Sequence, residues 1–383
     1  MPILRHNFNV RASGVCAALV LSAALIGVGP THSWAQTAPL PMSASGQLSS
    51  FANLVEKVRP AVVSIQVDRQ AQPTPAPEGS YPSFVPPGFG RALPQAAISH
   101  VAGSGFIVSA DGYVVTNNHV VESARTIKVT LSDGRTMSAQ VVGTDPETDI
   151  ALVKIIDGHN LPTVALGDDH HLRVGDWVVA VGNSFGLSGT VTAGIVSSIG
   201  RDIGNGPYTD YLQIDAPINQ GNSGGPTFDT NGYVVGMNTA IYSPSGGSVG
   251  VGFAIPSSTV KAVIDQIKQS GSVARGWLGV QIQDVTPELA SSMSLRETKG
   301  AIVAQVVENS PAQRAGFQPG DIILMANGLD ISDSRELSRQ VATFKAGNTA
   351  TFIVSRGGTR QTLSAKIAPR NDALASNFSQ SRQ

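Results

Sequence analysis

Residues 106–119 read FIVSADGYVVTNNH. Two short runs rich in β-branched and aromatic residues flank the pair Asp111-Gly112, and this pattern predicts a β-hairpin with a tight turn. The same pattern recurs twice further along the chain, with Asp133-Gly134 after residues 127–131 and Asn231-Gly232 before residues 233–235. Many short strands joined by tight turns predict antiparallel β-barrels or a β-sandwich.

The composition agrees with a globular protein built from several domains. The chain has 383 residues, and at about 100–200 residues per domain this length predicts two or three domains. Its 41 glycines and 23 prolines, beside only 14% charged residues, indicate many turns between short strands. The formal net charge is -1 at pH 7, so no global field attracts the chain to nucleic acid or to an anionic membrane.

The first 35 residues have the pattern of a secretory signal peptide. Arg5 and Arg11 form a positive start, residues 15–28 are apolar, and Ser33-Trp34-Ala35 has the small residues of a cleavage site. A retained membrane anchor is the weaker alternative, because the apolar run is shorter than the roughly 20 residues that a spanning helix needs. Cleavage would remove the single cysteine, Cys16, and leave an exported chain without disulfides or thiol chemistry.

Local patterns predict how the chain is divided. A helix over 257–269 that ends near Gly271 marks the boundary between two folded domains. Seven prolines between residues 71 and 94 exclude that segment from a sheet interior and predict a long exposed loop. The predicted order is a signal peptide over 1–35, a flexible lead-in over 36–50, a first domain over 51–270, a second β-rich domain over 275–368 and a polar tail over 369–383. Further helices are predicted at 51–58, 311–315 and 334–343, and a strand at 61–67.

The strongest chemical signal is the run Gly221-Asn222-Ser223-Gly224-Gly225-Pro226. Glycines on both sides of a serine allow a tight turn and leave room for a substrate carbonyl beside the hydroxyl. Taken alone, such a run is more often an ordinary Gly-rich turn. A nucleophilic serine also needs a base and a group that orients the base, and His119 and Asp149 stand upstream in the order His, Asp, Ser.

Longer motifs around these residues resemble the Deg/HtrA-type trypsin-like serine proteases with C-terminal PDZ domains. The first domain carries the motifs at residues 116–121, 145–154, 188–197, 213–226 and 246–256, and the second carries those at 275–280, 310–317, 319–323 and 327–328. One departure is Pro217, which stands where the family more often has Ala or a similar residue.

The resemblance implies a mainly β protein, with a trypsin-like double β-barrel over 51–270 followed by a PDZ domain over 275–368. It implies that Ser223 attacks the scissile carbonyl, that His119 transfers the proton and that Asp149 orients the imidazole. The amides of Gly221 and Ser223 would form the oxyanion hole.

Substrate contacts follow from the same resemblance. Pro217 and Ile218 match the floor of the pocket, and the absence of a carboxylate there predicts small or medium aliphatic residues before the scissile bond. Asn222 is also expected to contact the substrate. An equal alternative to this pocket role is that Ile218 is simply a buried residue of the core. An extended peptide would pair with the segment Asn238, Thr239, Ala240 and Ile241, which favours unfolded chains as substrates.

In the PDZ domain, Trp277, Leu278, Gly279 and Val280 match the turn whose amides hold a peptide carboxylate, so peptide C-termini are the implied ligands. An ordinary Gly-rich hairpin is the alternative for that turn.

The family's trimers imply a homotrimer through residues near 51–60. No cofactor is implied, the cluster at residues 168–171 has no third spaced metal ligand, and no phosphate-binding signature predicts a nucleotide site.

These inferences predict an ATP-independent serine endopeptidase that cleaves unfolded or misfolded exported proteins and is regulated by its PDZ domain. Two alternatives remain open from the residues alone. One is a signalling protease that cuts a specific membrane substrate when the PDZ domain binds a C-terminus. The other is a holdase or scaffold that binds unfolded chains without cutting them.

Overall fold

The computed structural model describes residues 50–70, 98–183, 189–219, 221–243, 247–292 and 298–370. The predicted signal peptide and the proline-rich loop at 71–94 lie outside these ranges, as do nearly all of the predicted lead-in and polar tail. None of the helices within the described ranges combines the length and the apolar character of a membrane-spanning segment.

A first closed barrel follows the amino-terminal helix α1 (Ala52–Val58), which is continued by a 3-10 turn at Arg59–Ala61. Its strands pair in the order β1-β2-β3-β6-β5-β4. The opening hairpin predicted from the sequence is β2–β3, with Phe106 opposite Val115. The strands are β1 (Val62–Gln70), β2 (Ile98–Ile107), β3 (Tyr113–Thr116), β4 (Ala124–Thr130), β5 (Thr136–Asp145) and β6 (Ile150–Ile155), with the one-turn helix α2 (Asn118–Val121) after β3.

A second closed barrel has the strand order β10-β11-β12-β9-β8-β7. The helix α3 (Ser257–Ser270) follows it and ends at Gly271, whose φ of +75° is the left-handed C-terminal conformation that glycine favours. The strands are β7 (Trp177–Gly182), β8 (Thr190–Arg201), β9 (Tyr211–Ile214), β10 (Pro226–Phe228), β11 (Val234–Ile241) and β12 (Gly252–Pro256). The predicted double barrel is therefore confirmed.

The apolar core joins the two barrels. One buried cluster includes Phe106 and Leu152 of the first barrel, Val179 and Phe228 of the second, and Ile264 of α3. Separate clusters fill the interior of each barrel. Because α3 contributes side chains to the shared cluster, the interior of the seam between the barrels is apolar and buried.

A third unit with its own core follows α3, and its main sheet has the order β14-β15-β16-β18-β19. The two helices predicted here are present, and the structure adds the helix α4, which the sequence pattern missed. The elements are β13 (Gly276–Trp277), β14 (Val280–Asp284), α4 (Pro287–Ser292), β15 (Ala301–Val306), α5 (Pro311–Ala315), β16 (Ile322–Ala326), β17 (Leu329–Asp330), α6 (Ser334–Thr343), β18 (Thr349–Arg356), β19 (Thr359–Lys366) and β20 (Ala368–Pro369).

Candidate active site

His119 and Asp149 are in direct contact through two hydrogen bonds. Asp149 Oδ2 lies 2.8 Å from His119 Nδ1, and Asp149 Oδ1 accepts the backbone amide of His119 at 2.9 Å. The carboxylate therefore fixes both the ring and the backbone of the histidine. Since Nδ1 is engaged by the carboxylate, Nε2 is the ring nitrogen that can exchange a proton with a substrate or a nucleophile.

The backbone of Asp149 explains how it reaches this position. Asp149 has a φ of +57° immediately before β6, a left-handed conformation that Asp tolerates better than most residues. Its carbonyl accepts the amide of Asn118 at 3.1 Å and the side-chain amide of Asn117 at 3.0 Å. The turn is thus bound to the segment that carries His119.

Residues 113–118 have the sequence pattern of a strand, but the structure places His119 in the one-turn helix α2. The strand β3 ends at Thr116. Asn117 is still extended but stands at the N-cap position, and the helical turn begins at Asn118. Arg69, at the end of β1, donates to the backbone carbonyls of His119 and Val120, the latter at 3.1 Å. No sequence signal indicated this arginine, since the contact joins residues 50 positions apart.

Ser223 lies in a loop held by hydrogen bonds from both barrels. Its carbonyl accepts the amide of Ser104 at 2.8 Å, and the amide of Gly224 donates to the carbonyl of Asn238 at 2.8 Å. The amide of Asn238 in turn donates to the carbonyl of Gly225 at 2.9 Å. The first barrel and β11 therefore both hold residues 221–225, which we call the nucleophile loop after the predicted role of Ser223.

The glycines of the nucleophile loop are required by close approach to the histidine segment. Gly224 has a φ of +83°, and a Cβ there would lie 2.2 Å from the carbonyl oxygen of Ser104 and 2.4 Å from Thr116 Oγ1. A Cβ on Gly103 would lie 2.7 Å from a methyl carbon of Val120 and 3.3 Å from the carbonyl oxygen of Ser223. The loop of Ser223 thus lies against Thr116, three residues before His119, and Gly103 lies close to both Val120 and the carbonyl of Ser223.

The structure places the predicted substrate residues in two groups. The side chains of Asn222 and Ile218 are buried, and Ile218 belongs to the core cluster of the second barrel, as in the core alternative. Asn238 holds the nucleophile loop, and Thr239 Oγ1 donates to Asp149 Oδ2 at 2.7 Å. A supporting role for Asn238 and Thr239 in the site was missed from the sequence.

The segment 239–241 of β11 is paired with β12 on one side only, among the described residues. The β10 ladder ends at Met237, and Asn238 continues it with its bonds to the nucleophile loop. The other edge of residues 239–241 therefore has no strand partner in the described part of the chain. Such an edge can accept an extended peptide by β-addition.

The predicted PDZ turn lies between β13 and β14. Gly279 has a φ of +86°, and the carbonyls of Leu278 and Gly279 accept amides of Ala312 and Val307. Val280 begins β14, which lies at the edge of the sheet and pairs only with β15 among the described residues. The turn is anchored by its carbonyls and is followed by an open strand edge.

Comparison with known proteins agrees with this geometry. Residues 103–237 match the model of the trypsin-like peptidase domain, and residues 276–367 match that of the PDZ domain. A "Probable periplasmic serine endoprotease DegP-like" of Brucella melitensis is 46% identical over 98% of this chain and 80% of its own length. The chain belongs to the DegP-like family of serine endoproteases. A DegP-like relative in Pseudomonas putida is 46% identical over 87% of this chain and 73% of its own length.

Solved structures place this DegP-like protease among HtrA-type enzymes. The structure titled "HtrA-type protease AlgWS227A with decapeptide" is 44% identical, has a TM-score of 0.75 and matches 84% of this chain and 98% of its own. A serine endoprotease from Yersinia pestis is 32% identical with a TM-score of 0.63 over 84% of this chain and 99% of its own. The DegP-like protease is thus a serine endopeptidase with a PDZ domain, and the non-cleaving scaffold is not retained.

Arginines of the PDZ unit contact the barrels of the DegP-like protease at two places. Arg275 binds the buried carboxylate of Asp145, at 2.7 Å and 2.5 Å, in the turn that leads to Asp149. On α6, Arg335 contacts Asp202 and the carbonyl of Thr209, and Arg339 pairs with Asp210. Asp145 lies in the turn that precedes Asp149, and residues 202–210 lie directly before β9 of the second barrel.

Proposed function

We propose that Ser223, His119 and Asp149 form the catalytic triad of this endopeptidase. The observation that carries the proposal is the 2.8 Å contact between His119 Nδ1 and Asp149 Oδ2 beside the nucleophile loop. Ser223 Oγ attacks the scissile carbonyl while His119 Nε2 takes up its proton, and the same nitrogen later protonates the leaving amine. Asp149 keeps Nδ1 protonated and stabilises the imidazolium that forms.

The amides of Gly221 and Ser223 are proposed to stabilise the negative oxygen of the tetrahedral intermediate. Gly221 has a φ of +95°, a conformation that turns the chain sharply just before the nucleophile. Losing one donor of such a hole typically costs about 2.7–4 kcal/mol of transition-state stabilisation. The hydrogen bonds that fix the carbonyls of both residues support this assignment.

The proposed substrates are unfolded polypeptides. An extended chain can pair with the open edge of residues 239–241, which a folded protein does not offer in the same way. Asn222 and Ile218 are proposed to shape the pocket before the cut, where no carboxylate selects Lys or Arg. Because Ile218 is buried, it would act by supporting the pocket wall, and we expect small or medium aliphatic residues at this position.

We propose that the enzyme works in the periplasm, without ATP, in the quality control of exported proteins. The signal-like start of the sequence and the periplasmic naming of its relatives support this location. A homotrimer is proposed as the working assembly. Phe51 and the exposed Trp177 are in tilted ring contact, with centroids 5.8 Å apart, and offer an apolar surface for subunit contact.

The PDZ domain is proposed to bind peptide C-termini at the turn formed by Leu278, Gly279 and Val280, beside Trp277. The open edge of β14 would pair with the bound peptide. Arg335 and Arg339 connect this domain to residues 202–210, which lead through β9 toward the nucleophile loop. Peptide binding can therefore change activity if it changes these ion pairs.

A PDZ-gated signalling protease is the second candidate. The same ion pairs favour it, because they give a single PDZ domain a physical route to the catalytic loops. Relatives solved with a decapeptide and with a tripeptide also belong to this group of HtrA-type proteases. In this version, cleavage is confined to one membrane substrate and needs the peptide.

The test is cleavage of several unrelated unfolded proteins by the parent and by Ser223→Ala, with Ser364→Ala, an exposed serine on β19, as the matched control. We expect Ser223→Ala to be inactive and Ser364→Ala to behave as the parent. Cleavage by Ser223→Ala at the parent rate would contradict the triad.

A second experiment repeats the cleavage assay with an added peptide that has a free C-terminal carboxylate, and with the same peptide amidated at its C-terminus. Activation by the free carboxylate alone supports PDZ regulation, and equal activation by both contradicts it. Cleavage of every unfolded protein without peptide supports quality control. Cleavage of a single substrate, and only with peptide, supports signalling.

A further inference from the structure

Ser104 is a fully buried residue of β2 that hydrogen-bonds three separate segments of the site. Its hydroxyl donates to the carbonyl of Gly221 at 2.6 Å and accepts the amide of Asn183 at 2.7 Å. Its backbone amide donates to the carbonyl of Ser223 at 2.8 Å, and its carbonyl accepts Thr116 Oγ1 at 2.7 Å. One residue of the first barrel therefore binds the nucleophile loop twice.

The hydroxyl of Ser104 bridges a donor and an acceptor that both belong to the second barrel. Without it, the carbonyl of Gly221 and the amide of Asn183 would lose their partner in a buried place, at a cost of about 1–3 kcal/mol for each unsatisfied group. One way to satisfy them is for the two segments to move toward each other. That movement would displace Gly221 from its position beside Ser223.

The orientation of the Gly221 carbonyl matters for the whole turn. A peptide unit is planar, so fixing this carbonyl also fixes the amide of Asn222, which donates to the carbonyl of Asn219 at 3.0 Å. The carbonyl of Ser223, two residues on, is fixed by the same Ser104. The spacing between Gly221 and Ser223 is thus set by two bonds from a single residue.

We infer that Ser104 is the positioning residue of the oxyanion hole. It acts by holding Gly221 and Ser223 in register, and it touches neither substrate nor reacting atoms. The inference rests on the proposed roles of Gly221 and Ser223. A displacement of about 1 Å at a reacting site can cost about 100-fold in rate, so loss of this bridge affects turnover more than substrate binding.

The chain contains a matched control. Ser64 on β1 is paired with Ser104 in the β1–β2 ladder, and both are completely buried. The hydroxyl of Ser64 has no hydrogen-bond partner among the described residues. Ser64→Ala and Ser104→Ala therefore remove the same atom from neighbouring positions of one barrel, and only the second removes bonds to the nucleophile loop.

The experiment measures kcat, KM and the melting temperature of the full chain for the parent and both variants, together with amide exchange over residues 219–226. We expect Ser104→Ala to lower kcat about 10- to 100-fold with KM changed less than about threefold. Its loop amides should exchange faster than those of the parent. Ser64→Ala should match the parent in kcat, KM and exchange.

The inference is overturned if Ser104→Ala lowers only the melting temperature, or if its kcat and loop exchange equal those of Ser64→Ala. Should Ser104→Ala not fold, Ser104→Cys replaces it, because the thiol has similar size and is a weaker donor. An intermediate kcat for this variant supports the inference, and a parent-like kcat overturns it. Failure of the proposed function is seen separately, as undiminished activity of Ser223→Ala, while the exchange comparison still decides the role of Ser104.

Discussion

Thr239 and His119 bind the same carboxylate oxygen of Asp149, at 2.7 Å and 2.8 Å. The threonine comes from the second barrel, and the other two residues come from the first. The proposed base and its proposed orienting group are thus supported across the seam by a hydroxyl from the barrel that carries Ser223. The two halves of the site cannot be positioned independently of each other.

The first prediction concerns this hydroxyl. Thr239→Val keeps the shape of the side chain and removes a hydrogen bond to a charged acceptor, a bond of a kind that contributes about 1.5–3 kcal/mol. We expect kcat to fall about 10-fold, because the carboxylate oxygen of Asp149 that contacts the imidazole is then held less firmly. Steady-state kinetics on a peptide substrate measure the effect. Thr239→Ser, which keeps the hydroxyl, should retain most of the activity, and equal losses in both variants would contradict the explanation.

The second prediction concerns the backbone of the nucleophile loop. Gly224→Ala places a Cβ 2.2 Å from the carbonyl oxygen of Ser104, and this carbonyl belongs to a paired strand that cannot move away easily. We expect loss of nearly all activity and of labelling of Ser223 by a fluorophosphonate. Gly328→Ala is the matched control, since Gly328 has the same φ of +83° but open space around it. Comparable labelling of the two variants would contradict the steric argument.

The third prediction concerns a buried ion pair. Arg275→Met leaves the carboxylate of Asp145 in a buried place without its bidentate partner, and removing one partner of such a pair costs about 3–5 kcal/mol. We expect a clear fall in the melting temperature and in the activity, because Asp145 begins the turn that ends at Asp149. Arg135→Met, which breaks an exposed pair with Asp133, should leave both quantities unchanged. A fall of the same size in the two variants would show that burial does not matter here.

The fourth prediction concerns pH. The hydrogen bond from Arg335 holds the pKa of Asp202 below its ordinary value of 3.8, and the amide of Gly204 acts in the same direction. A lowered pKa means that the ionised carboxylate favours the docked PDZ domain. The stabilisation that ionised Asp202 gives to the docked domain is complete at pH values above the ordinary pKa of 3.8. It is lost as the pH falls through the lowered pKa of Asp202 in the folded protein.

The docking of the PDZ domain should therefore be constant from neutral pH down to about pH 5 and should weaken below the ordinary carboxyl range. Small-angle scattering at a series of pH values measures it as an increase in the radius of gyration. Asp202→Asn removes this titration and should show a smaller change with pH. A pH profile identical to that of the parent would assign the effect to other carboxylates.

Much of this architecture could be predicted because it depends on local signals. The Asp111-Gly112 turn, the apolar spacing of α3 and the Gly-rich run around Ser223 are each set by neighbouring residues, and the structure contains the corresponding elements. The order His, Asp, Ser along the chain identified the candidates for the triad. The contact of His119 with Asp149 follows from closure of the first barrel, which a local pattern does not describe.

The missed features depend on long-range contacts. Ser104 and Gly221 are 117 residues apart, and nothing near Ser104 in the sequence distinguishes it from the buried Ser64. The short helix α2 follows an extended residue and contains β-branched side chains, so its sequence resembles the end of a strand. The sequence places Thr239 only in the segment that pairs with an extended substrate, because the bond of its hydroxyl to Asp149 exists only after the two barrels meet.

Gly103 lies where Val120, the neighbour of His119, and the carbonyl of Ser223 come closest to the same backbone position. A methyl group at this position would clash with Val120 and press on the carbonyl of Ser223. It would push the segment that carries His119 away from the loop that carries Ser223. The single hydrogen that serves as the side chain of Gly103 therefore allows the histidine segment and the loop of Ser223 to lie this close together.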